Sequence, residues 1–305
     1  MRPRVPSERS RRAVALTALA SVGLVAGAAW VSRRRPPRRR PEGSRAARQV
    51  RQGAALLAGS VLADSTMEHY RGGFHNRTMF VAPVSSGLAL VSALAPGMMT
   101  RRARQAVNAG AVGAGLAGHL FHLRNVLRRP GALSWESMFY AAPLGAPGAM
   151  TLAGLAGLAA TRLETGQPRG AEALRAGRIG SLGTVAGLLG TTAEVALLHF
   201  RGAFHNPMMF APVILPPLAA LAVADAARRP DRARLRLARI LLRATAAMGL
   251  AGAAFHAWGV HRNMGGWRNW RQNLQVAPPL PAPPSFTGVA LAGLGAAHLL
   301  EEARR

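Results

Sequence analysis

Few residues of this chain could do chemistry, and most of them occur twice. Asp64, His69, Glu194 and His199, with His119, His122 and His256, are carboxylates and imidazoles set in or beside apolar sequence. Imidazole and carboxylate together can ligate iron, zinc or copper without sulfur. Two imidazoles on facing helices can fill the axial positions of a haem, and His119 or His122 with His256 would supply such a pair. The same groups without a cofactor can carry protons or anions across a membrane. Arg71 and Arg201 stand close by in sequence to neutralise charge or hold an anion, and His75, Asn76, His205, Asn206, Arg124 and Arg262 extend the polar surface. The lack of cysteine excludes disulfides, thiolate catalysis, Cys-ligated zinc and iron–sulfur clusters. No Glu-x-x-His of the ferritin-like kind, no GxSxG, no P-loop and no HExxH occurs.

The recurrence is an internal repeat. Residues 64–80 match residues 194–210 at a constant offset of 130. His69, Arg71, Gly72, Phe74, His75, Asn76, Met79 and Phe80 coincide with His199, Arg201, Gly202, Phe204, His205, Asn206, Met209 and Phe210, and Asp64 falls opposite Glu194. Much of this reads as a corner between two helices. Gly72 and Gly202 stand where a helix end wants a left-handed residue. His69 and Arg71 suit the last turn of a helix dipole. Asn76 and Asn206 are natural N-caps, with Pro207 at the first helical position. A corner does not account for the acids, which lie about one and a half turns inside apolar helices, where an ionised carboxylate costs about 3 kcal/mol. A second, looser pair runs Arg124-Asn125 to Trp135 and Ala142 to Pro147, against Arg262-Asn263 to Trp267, Trp270 and Pro278 to Pro283.

The elements that must position these residues follow from composition. Half of the 305 residues are hydrophobic, yet the net charge is +27, and every basic residue is arginine. Apolar spans alternating with basic connections reconcile the two. Beyond residue 52 the apolar stretches run 53–69, 79–99, 105–122, 139–161, 179–200, 208–226, 240–258 and 282–300, rich in Gly, Ala and Leu. Stretches such as 179–193 carry no charge on any face, so the expected fold is an all-α integral membrane bundle. Residues 1–51 read as an N-terminal hydrophobic anchor (13–31) and an Arg/Pro-rich linker, 52–165 as one four-helix repeat, and 179–305 as a second. An even helix count per repeat implies two parallel repeats about an axis along the membrane normal. Arginines concentrate in the connections opposite the repeat motifs, which puts those motifs outside a bacterial cytoplasmic membrane. The lipid bilayer is then the partner of the arginines, and nucleic acid is not, because they fall between apolar spans.

The segment Arg262-Asn263-Met264-Gly265-Gly266-Trp267-Arg268-Asn269-Trp270 and the run Leu280-Pro281-Ala282-Pro283-Pro284-Ser285-Phe286 resemble an uncharacterised group of bacterial multi-pass membrane proteins with no assigned activity. The resemblance implies a membrane location and carries no catalytic residue across. Trp267 and Trp270 belong to a long outer loop that would cap the polar cluster, act as a lid, or dock a periplasmic or membrane protein partner. Three functions use the cluster: a metal or haem site in a redox or accessory role, a small transporter or proton-coupled permease, and a non-catalytic scaffold. A helix broken at Pro216-Pro217 would favour the transporter.

Overall fold

The computed structural model describes residues 45–140 and 145–305; the expected anchor at 13–31, the basic residues that follow it to position 44, and Ala142 to Leu144 of the looser repeat lie outside the described residues. Among those described, regular structure is entirely helical. The α-helices are α1 (Arg45–Arg71), α2 (Val81–Leu94), α3 (Arg101–Leu127), the short α4 (Trp135–Tyr140), α5 (Gly145–Leu163), α6 (Gly170–Arg201), α7 (Ala211–Arg228), α8 (Arg232–Arg262), the short α9 (Trp270–Val276) and α10 (Pro284–Glu302). Single 3-10 turns, Arg77–Phe80 and Pro207–Phe210, lead into α2 and α7.

Each apolar stretch falls on a helix, but the ends differ from the hydropathy pattern. The stretch at 79–99 overshoots: α2 stops at Leu94, and Ala95 leads into a turn opened by Pro96. The described residues of the stretch at 139–161 fall in α4 and α5. Three helices run on through charged sequence at their starts, α1 from Arg45, α6 from Gly170 and α8 from Arg232. The start of α1 explains why. Ala46, Ala47 and Val50 form a narrow buried stripe that packs with Ala160, Leu163 and Leu299, while Arg45 and Arg48 stay outside it. Residues 45–51, expected as linker, are therefore helix, because an alanine stripe is enough to bury one face while arginines cover the other. Helix α7 passes through Pro216 and Pro217 without interruption, so the break that would favour a transporter is not found there. Pro216 is buried with Ala219 and Ala220, and packing against neighbouring helices tolerates the lost backbone bonds.

Four helical segments, Arg77–Leu94, Gly170–Arg201, Pro207–Arg228 and Arg232–Arg262, are long and apolar enough to cross a membrane. Only 17–39 % of their most apolar windows is buried within the protein. Leu182, Leu221, Leu250 and Ile179 are each more than half exposed. Large apolar side chains turned outward over whole helices fit a lipid surround and would be unstable in water.

Helices α1, α5, α6 and α10 touch partners on several sides, and α2, α3, α7 and α8 flank them. One close approach is between α1 and α10. A Cβ added to Gly53 would lie 2.6 Å from the Gly288 carbonyl oxygen and 2.9 Å from the Ala292 nitrogen, so backbone meets backbone. Small residues permit this contact, and dispersion between the backbones holds it in a medium that supplies no hydrophobic force between helices. Buried Ser and Thr side chains turn back to the carbonyl four residues earlier, as Thr161 does to Gly157, Thr184 to Gly180 and Thr245 to Leu241. Their hydroxyls thereby stay satisfied without water.

Candidate functional site

At the corner end of the bundle, α1 turns into α2 and α6 turns into α7 with the same contacts. Phe74 N–H donates to the His69 carbonyl at 3.0 Å, and Phe204 N–H to that of His199 at 3.0 Å. Asn76 Oδ1 accepts from Thr78 N–H at 3.0 Å, and Asn206 Oδ1 from Met208 N–H at 2.9 Å, so both asparagines cap the turns as their type predicts. The rings of Phe74 and Phe80 stack at 4.4 Å, those of Phe204 and Phe210 at 4.5 Å.

The left-handed residues of the corner are not the ones the sequence suggested. Gly202 has φ −82°, whereas the positive angles belong to Gly73 (+70°), Ala203 (+55°), Phe74 (+44°) and Phe204 (+44°). Two successive left-handed residues reverse the chain more tightly than a single C-cap, and ring stacking holds each phenylalanine in a conformation that costs about 1–3 kcal/mol. Gly72 and Gly202 serve another need. The methyl groups of Met79 and Met209 lie 3.1 Å from where their Cβ atoms would be.

The histidines are oriented by backbone carbonyls. Nδ1 of His199 donates to Met209 O at 2.7 Å, and that of His69 to Met79 O. Nδ1 of His256 donates to Pro279 O at 2.7 Å, and those of His75 and His205 donate to Gly72 O and Gly202 O at 3.0 Å. A carbonyl only accepts, so each ring carries a proton on Nδ1. His69 lies within electrostatic reach of His122, and His199 of His256. His119, expected to act beside His122, instead turns its Cε1 toward α5, 3.1 Å from a Cβ position on Gly148.

The acids come together from the two halves. Asp64 on α1 and Glu194 on α6 are within electrostatic reach of one another, and neither has an ion-pair partner among the described residues. The Glu194 carboxylate presses on the first residue of α5: a Cβ on Gly145 would collide with Oε2. Ser60, one turn before Asp64, donates to the Pro281 carbonyl ahead of α10.

Other expected members are engaged elsewhere. Arg71 pairs with Glu68 and reaches the Leu274 carbonyl at 3.3 Å, tying α1 to α9. Arg201 lies over the rings of Phe139 and Tyr140, at 5.1 and 5.9 Å. Each is engaged with a nearby group, and Arg71 neutralises the charge of Glu68. Arg124 and Arg262 are exposed near the ends of α3 and α8. Trp267 and Trp270 are 45 % and 52 % exposed, and buried Asn273 fixes their loop by donating to Met264 O and Gly266 O. His298, at the opposite end of the bundle, lies 3.7 Å from Glu301.

Among the described residues no three of His, Asp and Glu gather closely enough to hold a metal ion. The proposed haem partners fall on α3 and α8, whose extensive contacts are with α5 and α10 and not with each other. Comparison with protein-family models, with curated proteins and with solved structures found no match.

One signal in the sequence was missed. Gly115-Leu116-Ala117-Gly118 with Phe121-His122 recurs as Gly249-Leu250-Ala251-Gly252 with Phe255-His256, at an offset of 134. Gly115 lies against Thr151 and Pro147, and Gly249 against Thr287 and Pro283 in the same way. This match pairs His122 with His256 and sets Ala253 opposite His119, which marks His119 as the odd member.

Proposed function

We propose that the chain is a multi-pass membrane protein of two four-helix units, α1, α2, α3, α5 and α6, α7, α8, α10, inserted in the same sense about an axis along the membrane normal. On this reading it resides in a bacterial cytoplasmic membrane with its corners outward, and the Asp64–Glu194 pair takes up a proton or a small cation as part of a carrier function. The architecture is supported by matched packing: α1 with α2, α3 with α5 and α1 with α5 correspond to α6 with α7, α8 with α10 and α6 with α10. The location is supported by the exposed apolar helices and by the arginine-rich connections at the end away from the corners.

The observation that carries the functional part is that two repeat-equivalent carboxylates lie within electrostatic reach of one another, while Arg71, the arginine that acts on Asp64, is paired with Glu68. Like charges brought together away from bulk water are relieved by a positive charge, a proton or a metal ion. Ser65 Oγ and Thr192 Oγ1, buried and without hydrogen-bond partners among the described residues, stand one and two positions away in sequence and could serve the same guest. The histidine pairs His69–His122 and His199–His256 belong to the same helices or their neighbours at this end of the bundle and suit proton relay. A metal-holding role has less support, because no third ligand joins any pair.

Full-length protein in liposomes of phosphatidylcholine and phosphatidylglycerol, loaded with a pH-sensitive dye, tests this reading. A pH gradient imposed across the bilayer should collapse through the wild type and through His75→Ala, and at least tenfold more slowly through Asp64→Asn/Glu194→Gln. Equal rates in the double variant would overturn it. A stoichiometric metal in the purified wild type, lost in that variant, would reassign the pair to metal binding.

A further inference from the structure

At the end of the bundle away from the corners, α8 opens with a stripe of arginines. Arg232, Arg236, Arg239 and Arg243 recur at intervals of four, three and four residues, which places them on one face over about 16 Å. With Ile240 and Glu301 of α10 they line a groove with a volume of about 450 Å³. Arg239 is tied to Glu301 at 3.2 Å. Arg232, Arg236 and Arg243 are exposed and form no ion pair among the described residues. The nearby acids do not serve them: Asp225 and Asp231 both go to Arg234, on a different face of the helix. Four guanidiniums therefore share one carboxylate, and the groove has a strong surplus of positive charge.

The matching place in the other half shows that helix packing does not require this. At the 134-residue offset set by the glycine motif, Arg236, Arg239 and Arg243 correspond to Arg102, Gln105 and Ala109 on α3. There the one nearby carboxylate, Glu164, is answered by two arginines, Arg104 at 2.6 Å and Arg51 at 3.3 Å, and charge is close to balanced. The arginine stripe is an addition to one half only.

We propose that this groove binds a phosphate group, seated between the guanidiniums of Arg232, Arg236 and Arg243. Guanidinium forks match phosphate oxygens two to two, and several on a rigid helix hold such a group without reorganisation. The favoured source is an anionic phospholipid. Ile240 lines the groove and is 50 % exposed, and Leu237 beside it is 53 % exposed, so an apolar track leads from the charged pocket onto the outer face of α8, where acyl chains would lie.

Native mass spectrometry of the full-length protein in a neutral detergent, with added dimyristoyl-phosphatidylglycerol, tests the proposal. Wild type and Arg102→Gln should each retain one lipid, and Arg236→Gln/Arg243→Gln should lose it at least tenfold more readily. Dimyristoyl-phosphatidylcholine should not be retained. Inorganic phosphate at matched ionic strength separates the sources: failure to displace the lipid supports the headgroup, whereas displacement at micromolar concentration supports a site for free phosphate. Equal retention by the double variant, confirmed as folded by circular dichroism and again by Arg232→Gln, would overturn the proposal, as would equal retention of phosphatidylcholine.

Discussion

Gly53 and Gly183 are separated by the 130 residues of the repeat and meet opposite surroundings. Gly53 lies against the backbone of α10, with no room for a Cβ, while a Cβ on Gly183 would meet nothing within 4 Å. The interfaces around them differ in the same way. Helix α1 crosses α10 over a long contact, and α6 meets α5 over a much shorter one, which includes the contact of Glu194 with Gly145. The difference teaches that duplication supplies like elements without making their junctions equal. One junction is closed and load-sharing; the looser one is where a carboxylate sits against a helix start.

The largest expected effect tests that asymmetry directly. Gly53→Val should cost about 3 kcal/mol by overpacking a backbone crossing, whereas Gly183→Val should leave the denaturant midpoint in detergent micelles unchanged. Equal losses would mean the two junctions bear equal weight. Next come the corners, which are alike where the junctions are not. His69→Ala and His199→Ala each strand a backbone carbonyl, so both should lose about 1–3 kcal/mol, and a large inequality in their thermal midpoints would break the match between corners. A smaller effect separates the corners at one position. Gly73→Ala should destabilise and Ala203→Gly stabilise, each by about 0.5–1 kcal/mol, because the left-handed backbone suits glycine.

The smallest effect concerns charge at the start of α8. The carboxylate of Asp231 is held below its ordinary value by the backbone N–H of Arg234 and then by its guanidinium. A lowered value means the ionised form stabilises the fold above the unfolded-state value, and the gain is lost as pH falls through the folded one. Asp231→Asn keeps the N-cap but not the charge. It should therefore lower the thermal midpoint slightly at pH 7, and the difference should vanish near pH 3.

Helical character, the corner motif, the caps at Asn76 and Asn206 and the placing of Pro207 at the start of its turn were legible in the sequence, because each rests on local chemistry. The extents of α1, α6 and α8 were not, since hydropathy counts arginines as breaks while an alanine stripe continues to bury one face. The left-handed positions were placed one and two residues too early, because glycine drew attention from Phe74 and Phe204. Within the candidate site, the equivalence of Asp64 and Glu194 could be read directly. Their meeting could not, nor could the use of every corner Nδ1 on a carbonyl, because both depend on how helices cross.

The junction between α1 and α10 also orders the birth of the molecule. Its two glycines, Gly53 and Gly288, are far apart in the chain, and at about 5–20 residues per second a ribosome needs on the order of ten seconds or more to pass from one to the other. Each corner can close as soon as its own hairpin has emerged. Helix α1 must wait beside lipid or an insertion chaperone until α10 arrives, so this backbone-to-backbone seam is among the last to be sewn.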